Sequence, residues 1–183
     1  VYTRNELFTS ILSATVVLCQ TRPQMAEAPA DLQITDVKSR SGNVTWSKPT
    51  NFSGTHCGYS LQIHNGSSCI REVIWKCIGC TGSFPILSRP CSNVSEQNAS
   101  STALQGPQYY EAVDLFPDNN YTVDVAAITG IGIGHQASKN LATKEEAPSK
   151  PWIVLVRNIT DTNATVEWNI DGARPGQTSY NII

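Results

Sequence analysis

The sequence predicts an all-β protein built as an antiparallel sandwich, and three observations support this prediction. From Tyr121 to Ala127, apolar residues recur at every second position, which is typical of a strand with one buried and one solvent-exposed face. Six further short segments show strand patterns with turn residues between them, and no segment has helical periodicity. Hydrophobic residues make up 40% and charged residues 15% of the 183 positions, which suits a folded domain rather than a disordered chain.

Seven strands are predicted along residues 28–147. In the second of them Val44 and Trp46 face inward, and Pro49 ends the strand because proline has no amide proton to donate to a sheet ladder. Leu115, a turn and then Tyr121 at the head of a strand predict a tyrosine corner, in which the phenol hydroxyl bonds to the backbone near Leu115. The predicted strands are 32–37, 42–47, 59–63, 71–77, 109–115, 121–127 and 136–143.

Four segments in this order resemble the fibronectin type III family: Val44-Thr-Trp-Ser-Lys-Pro, Gly54 with Tyr59-Ser-Leu-Gln-Ile, Leu115 through Val123, and Ala127 through Gly134. The resemblance covers about residues 28–63 and 109–147. It implies a seven-stranded immunoglobulin-like sandwich over 28–147, with Trp46, Tyr59 and Leu115 in the core and Tyr121 as the corner tyrosine. The function it implies is protein–protein recognition or spacing rather than catalysis.

The pattern restarts after a proline-bounded linker at residues 147–151. Trp168 takes the position that Trp46 holds in the first copy, so residues 148–183 are predicted to be the N-terminal part of a truncated second copy. We expect this part to be poorly ordered in isolation because half of its core is missing. Residues 1–27 are interpreted as the tail of a preceding β domain plus a linker, with a signal-like segment as the alternative.

A cysteine-rich insert occupies about residues 64–108 and departs from the family pattern. Long unstructured loops are uncommon in compact domains, so this stretch should be held by disulfides, functional or flexible, and a disulfide-held insert is the leading interpretation. We expect a local Cys80–Cys91 bridge, and a second bridge between the third and fourth strands made by two of Cys57, Cys69 and Cys77. The candidate cysteines of the domain are Cys57, Cys69, Cys77, Cys80 and Cys91.

Glycosylation sequons of the form Asn-x-Ser/Thr occur at eight of the 13 asparagines, whereas chance predicts roughly two or three. Together with six cysteines, this excess predicts an extracellular or cell-surface location, with a secreted protein as the alternative. The sequons lie at Asn43, Asn51, Asn65, Asn93, Asn98, Asn120, Asn158 and Asn163.

The sequence shows no pattern of catalytic or metal-binding residues. Cys77-Ile-Gly-Cys80 precedes no predicted helix and has no second ligand pair, which argues against a redox motif and a zinc site. His56 is expected to be half exposed at a strand start. No histidine stands in a sequence pattern with a Ser or Cys nucleophile. The net charge is −2 and the sequence has no basic cluster, so no positively charged surface that would bind nucleic acid is predicted. We therefore expect no cofactor and no small-molecule substrate.

The leading functional hypothesis is an extracellular recognition or spacer module, with fibronectin type III domains in tandem, of a membrane-anchored adhesion or receptor protein. Its partner would be a protein ligand or another cell-surface protein. One alternative is the ectodomain of a receptor tyrosine phosphatase or kinase whose catalytic domain lies elsewhere, and another is a secreted matrix protein. The candidate binding segments are the insert around Cys69–Cys91 and the loop Gly130–His135.

Overall fold

The computed structural model describes residues 24–51, 54–80, 91–150 and 153–169, together with Ser179 and Asn181. Ten strands and one short 3₁₀ turn, Ala103–Gln105, account for the regular structure in these residues. The strands are β1 Ala30–Thr35, β2 Gly42–Ser47, β3 His56–Asn65, β4 Ser68–Cys77, β5 Val94–Ala99, β6 Gln108–Ala112, β7 Asn120–Thr129, β8 Gly132–Ala142, β9 Ile153–Arg157 and β10 Thr165–Asn169.

Two sheets face each other across a buried core. One has the order β1-β2-β6 and the other the order β5-β4-β3-β7-β8. Every second residue of the central strands points inward, as period-two alternation requires. Trp46 of β2 packs edge-on against Tyr59 of β3, with ring centroids 5.6 Å apart, and also lies 5.5 Å from Trp75 of β4. The all-β sandwich predicted from the sequence is confirmed.

The region 30–142 contains eight strands, one more than the seven predicted. The extra strand, β5, lies within the insert and pairs with β4 in parallel, so the sheet is not purely antiparallel. Its residues Val-Ser-Glu-Gln-Asn-Ala show no apolar alternation because the strand lies at the sheet edge, and all of them except Ala99 are exposed. Much of the remaining insert belongs to the long hairpin of β3 and β4, whose strands extend further towards the turn than the predicted strands 59–63 and 71–77.

A bulge in β3 determines how the start of this strand is arranged. His56 pairs with Thr129 and Gly58 with Ile128 of β7, which leaves Cys57 as the extra residue. Gly58 has φ of +150°, and a Cβ atom there would overlap the backbone oxygen of Trp75. Glycine is therefore required where β3 passes β4.

The corner before β7 closes the sandwich at its other end. The Tyr121 hydroxyl accepts a hydrogen bond from the Phe116 amide at 2.8 Å. Both Tyr121 and Leu115 are buried at 1% exposure. The connection between β6 and β7 is thus held by a bond from the core side chain to the loop backbone.

Strands β9 and β10 form a separate two-stranded antiparallel sheet, in which Trp168 pairs with Val154. None of the described residues 155–169 is buried. Trp168, expected in a core, is partly exposed. Neither buried cluster in the described residues includes it. The preceding tail or signal-like segment proposed for residues 1–27 lies almost wholly outside the described residues, as does most of 170–183.

Candidate functional site

Two disulfides attach the insert to the sheet. Cys57 is bonded to Cys80, with their Cα atoms 5.7 Å apart, and Cys69 is bonded to Cys91, with their Cα atoms 4.6 Å apart. The expected Cys80–Cys91 bridge is wrong, and so is the expected bridge between β3 and β4. Of the cysteines in the described ranges, Cys77 has a free thiol.

Strand geometry explains why Cys57 does not pair with Cys77, although the adjacent residues Gly58 and Lys76 are cross-strand partners. Cys77 packs against the core between the two sheets, whereas Cys57 belongs to a small cluster on the outer face of the five-stranded sheet. The two side chains therefore lie on opposite faces. Cys80 reaches Cys57 after a tight turn in which its amide donates to the Cys77 carbonyl at 3.3 Å.

The Cys57–Cys80 disulfide packs against the hairpin of β7 and β8. Its neighbours on the outer face are Ile74, Ala126, Ile128 and Ile133. This contact brings the insert and the Gly130–His135 segment, the two candidate binding segments, to the same end of the sheet. Ile78, 76% exposed, and Ile131, 48% exposed, are solvent-facing apolar residues in the two turns there. We call Cys57, Ile78, Cys80 and Ile131 the disulfide end.

The turn between β7 and β8 is short and well bonded. The Thr129 hydroxyl donates to the Gly132 carbonyl at 3.1 Å and accepts from the Ile131 amide at 3.3 Å. The predicted Gly130–His135 loop is thus only two residues long, because Gly132 and its successors pair with β7 as part of β8. Ile131 is consequently displayed on a rigid turn.

His56 is buried behind the disulfide end, contrary to the expectation that it is half exposed. Its ring lies edge-on to Tyr59 at 4.6 Å, and its Nε2 is 3.0 Å from the Gly58 carbonyl oxygen. Burial lowers the pKa of His56, the bond to Gly58 opposes this effect, and the charge of Lys48 adds to it. Burial also raises the pKa of Tyr59 to about 12. Both groups are uncharged near neutral pH.

A row of polar side chains, which the sequence pattern did not predict as a site, crosses the outer face of the five-stranded sheet. Glu72 accepts hydrogen bonds from Ser60 Oγ at 3.0 Å and from Gln62 Nε2 at 3.1 Å. Nε2 of His64 lies 3.3 Å from Oδ2 of Asp124. Ser60, Gln62 and Glu72 are each less than 5% exposed. The alternation Tyr-Ser-Leu-Gln-Ile-His predicts this face as polar, but it carries no signal that the face is shielded from water.

This row does not form a nucleophilic site. Ser60 and His64 are four residues apart on one strand, a separation of about 13 Å, which is too long for a base to activate a hydroxyl. The Ser60 hydroxyl donates to Glu72 instead. The arrangement provides hydrogen bonds between β3 and β4 and a close polar contact between His64 of β3 and Asp124 of β7. No group of three or more His, Cys, Asp or Glu side chains within the described residues could hold a metal ion.

The sequon asparagines all fall within the described ranges and are open to solvent. All except Asn43, which is partly exposed, are exposed. Asn65 lies at the turn of the β3–β4 hairpin, while Asn93 and Asn98 accompany the edge strand β5. Glycans at these positions would leave the core undisturbed.

Asn43 differs from the other sequon asparagines in its surroundings. It lies on the solvent face of the three-stranded sheet and lines an open groove of about 520 Å³. Its Nδ2 donates to Oδ2 of Asp36 at 3.1 Å, and its Oδ1 accepts from the Tyr109 hydroxyl at 2.9 Å. The side-chain amide is therefore held in one orientation. The other residues that line the groove are Val37, Lys38, Glu111 and Lys144.

The chain is similar to a tyrosine-protein phosphatase and to several solved structures. Tyrosine-protein phosphatase Lar of Drosophila melanogaster is 22% identical over 161 residues, which cover 87% of this chain and 6% of that protein. The extracellular domains d3–d4 of rat CD45 align at 16% identity and a TM-score of 0.47, over 74% of this chain and 62% of theirs. Titin domains A168–A170 align at 16% identity and a TM-score of 0.43, over 67% and 34%.

The described residues contain no helix long and apolar enough to span a membrane. The family model for the fibronectin type III domain matches residues 27–144, which include both sheets of the sandwich and the disulfide-bonded insert. This family is a non-catalytic module, and two disulfides within such a fold fit an extracellular domain. The chain belongs to the fibronectin type III family.

Proposed function

We propose that the chain is an extracellular recognition and spacer module in the ectodomain of a cell-surface adhesion or receptor protein. The single observation that carries this proposal is the pair of disulfides, Cys57–Cys80 and Cys69–Cys91, within a fibronectin type III sandwich. Disulfides of this kind persist in oxidising compartments and are rare in the cytosol. The exposure of the sequon asparagines supports the same location.

Thiol trapping and glycopeptide mapping of the protein isolated from its native source test this location. Alkylation of the denatured, unreduced chain should label Cys77 and leave Cys57, Cys69, Cys80 and Cys91 unlabelled. Mass spectrometry should find glycans on several sequons. Labelling of all five of these cysteines together with bare sequons would contradict an extracellular module.

The recognition surface that we propose is the disulfide end. Two apolar side chains, Ile78 and Ile131, are presented there on tight turns, and the Cys57–Cys80 bond fixes one turn relative to the other. Apolar residues held rigidly on a surface lose little conformational entropy when a partner covers them. A protein ligand or a protein of an opposing cell surface is the partner that this surface suits.

Binding of the labelled full chain to intact cells tests this surface. Ile78→Asp and Ile131→Asp should each lower saturable binding at least tenfold, because a buried interface would have to desolvate a carboxylate. Phe116→Asp is the matched control, since Phe116 is 62% exposed in the corner that precedes β7. Equal binding by all three variants and the unchanged chain would exclude the disulfide end, as would intact affinity after deletion of residues 78–92.

We also propose that fibronectin type III domains follow one another in tandem, with residues 148–183 as the start of a second copy. The antiparallel pairing of β9 with β10 supports this idea, since β1 and β2 of the first copy pair in the same way. Trp168 also lies in the second strand of its pair, as Trp46 does. The short linker with Pro148 and Pro151 would make a semi-rigid connection between the copies.

The similarity to Lar favours the ectodomain of a receptor tyrosine phosphatase as a second candidate for the parent protein. A receptor kinase or a secreted matrix protein would use the same module. Sequencing the full-length transcript separates these candidates. A membrane span of about 20 apolar residues followed by a phosphatase domain would support the receptor enzyme. Further repeats followed by a stop codon, without a span, would instead make the parent a matrix protein.

A further inference from the structure

We propose that the groove beside Asn43 seats the glycan attached to Asn43, with its first N-acetylglucosamine packed against the ring of Tyr109. This inference rests on the proposed extracellular function, because the chain must enter the secretory pathway to be glycosylated. It differs from that function in assigning an intramolecular site to one sequon. The occupant is the chain's own glycan, since the residue that would carry the sugar is itself part of the groove wall.

The strand geometry places the sequon and the aromatic ring on one face. Asn43 and Thr45 of β2 both point to solvent, and Thr45 pairs with Tyr109 of β6. Tyr109 is therefore the diagonal neighbour of Asn43 on the same face, within reach of its side chain. Its hydroxyl bonds to Asn43 Oδ1, and 58% of the residue remains exposed. An exposed aromatic ring beside a sequon offers a flat apolar surface to the C–H face of a pyranose.

The chemistry of the Asn43 amide is compatible with an attached sugar. In the transfer reaction, Nδ2 forms a bond to C1 of the sugar, the bond from C1 to the pyrophosphate of a lipid-linked oligosaccharide breaks, and one amide proton is released. One N–H remains on Nδ2, and it can keep the bond to Asp36. Oδ1 keeps the bond from Tyr109. The attached sugar then projects from the amide into the groove in a fixed direction.

The groove walls suit the polar groups of the sugar. Lys38 and Lys144 offer donors, and Asp36 and Glu111 offer acceptors, for ring hydroxyls and for the acetamido group. The Lys144 amide donates to the Lys38 carbonyl at 3.1 Å, which holds these two walls together. A cavity of about 520 Å³ is large enough for the first sugar. The preformed walls lower the entropic cost of ordering it.

A mutant cycle on the full chain, secreted from cells that make high-mannose glycans, tests the proposal. Mass spectrometry should first show that Asn43 is occupied. Asn43→Gln should then lower the melting temperature by about 2–5 °C, as expected for the loss of one packed contact in a domain of this size. In the Tyr109→Ala background the same change should have a clearly smaller effect, limited to the loss of the bond between Asn43 and Asp36. Tyr109→Phe keeps the ring and should preserve the coupling.

Two controls complete the experiment. Asn65→Gln removes a glycan at a hairpin turn away from the groove and should leave the melting temperature unchanged in both backgrounds. Endoglycosidase H leaves the first sugar on the asparagine, so trimming should retain the coupling to Tyr109. An unoccupied Asn43 beside occupied Asn65 and Asn120, or equal effects of Asn43→Gln with and without the ring, would overturn this inference and leave the extracellular function intact. Bare asparagines at every sequon would instead contradict that function.

Discussion

Trp46 in β2 and Trp168 in β10 occupy equivalent places in two similar sequence patterns, but their surroundings differ. Trp46 is 2% exposed and touches Tyr59 and Trp75, whereas Trp168 remains partly exposed. Both strands alternate in accessibility along their length. Alternation of apolar and polar residues therefore predicts a strand and its apolar face, but burial of that face needs a second layer of structure over it. An isolated two-stranded sheet is only marginally stable in water.

The largest effect that separates the two regions should come from the tryptophans themselves. Trp46→Ala should lower the free energy of unfolding of the sandwich by about 3–5 kcal/mol, because it leaves a cavity between the sheets. Trp168→Ala should change the same transition by less than about 0.5 kcal/mol. Urea denaturation of the full chain, followed by circular dichroism, measures both values. Similar losses from the two variants would mean that Trp168 is part of the cooperative core.

The two described disulfides lie in the sandwich and its insert, so their effect on stability is expected there. Each one spans 22 or 23 residues of sequence, so replacing both cysteines of either pair by alanine should lower the free energy of unfolding by about 3 kcal/mol. Cys77→Ala is the control and should have little effect, because Cys77 forms no disulfide. A loss at Cys77 equal to that of either pair would show that the disulfide map is wrong. The same urea titrations report these differences.

The tyrosine corner should contribute less than either disulfide. Tyr121→Phe removes the acceptor of the Phe116 amide and should lower the free energy of unfolding by about 1–2 kcal/mol. Tyr109→Phe removes a hydroxyl from an exposed ring, so in unglycosylated protein its effect should stay within about 0.5 kcal/mol. Thermal and urea unfolding of both variants provide the comparison. Equal effects would show that the corner bond does not hold the β6–β7 connection.

The smallest effect should be a pH dependence of the sandwich that comes from His56 at the start of β3. The folded pKa of His56 is lowered, so below about pH 6.5 the unfolded chain binds more protons than the folded one. Stability should therefore fall as the pH drops from 7.5 towards 5 and level off below the folded pKa. His56→Phe should reduce this slope, and an unchanged slope would assign it to other groups.

Much of the sandwich could be predicted because its signals are local. Each of the seven predicted segments overlaps a strand, and the Leu115–Tyr121 spacing marks a turn whose bond forms within six residues. β5 could not be predicted, because an exposed edge strand needs no apolar face. Its pairing with β4 joins residues that are distant in the sequence, such as Glu72 and Val94. The edge strand is therefore a product of tertiary structure rather than of local pattern.

The candidate site was harder to predict, because its contacts also depend on tertiary structure rather than on local pattern. The cysteine pairing depends on a single bulge that turns Cys57 to the outer face, and nothing in the residue order marks that bulge except Gly58. The sequence pattern predicts that the polar row of Ser60, Gln62 and Glu72 faces solvent, whereas these side chains are buried. The groove at Asn43 needs the register of β2 against β6, which brings Tyr109 beside the sequon.

Hydrogen exchange of the full chain, measured by mass spectrometry, tests the difference between the two regions most directly. The amides of β3 and β7 lie at the centre of the five-stranded sheet and should exchange only through global unfolding. Amides of residues 153–169 should exchange within seconds, at rates close to those of an unstructured chain, because none of the described residues 155–169 is buried. Protection of 153–169 equal to that of β3 and β7 would contradict this account and place both regions in one cooperative unit.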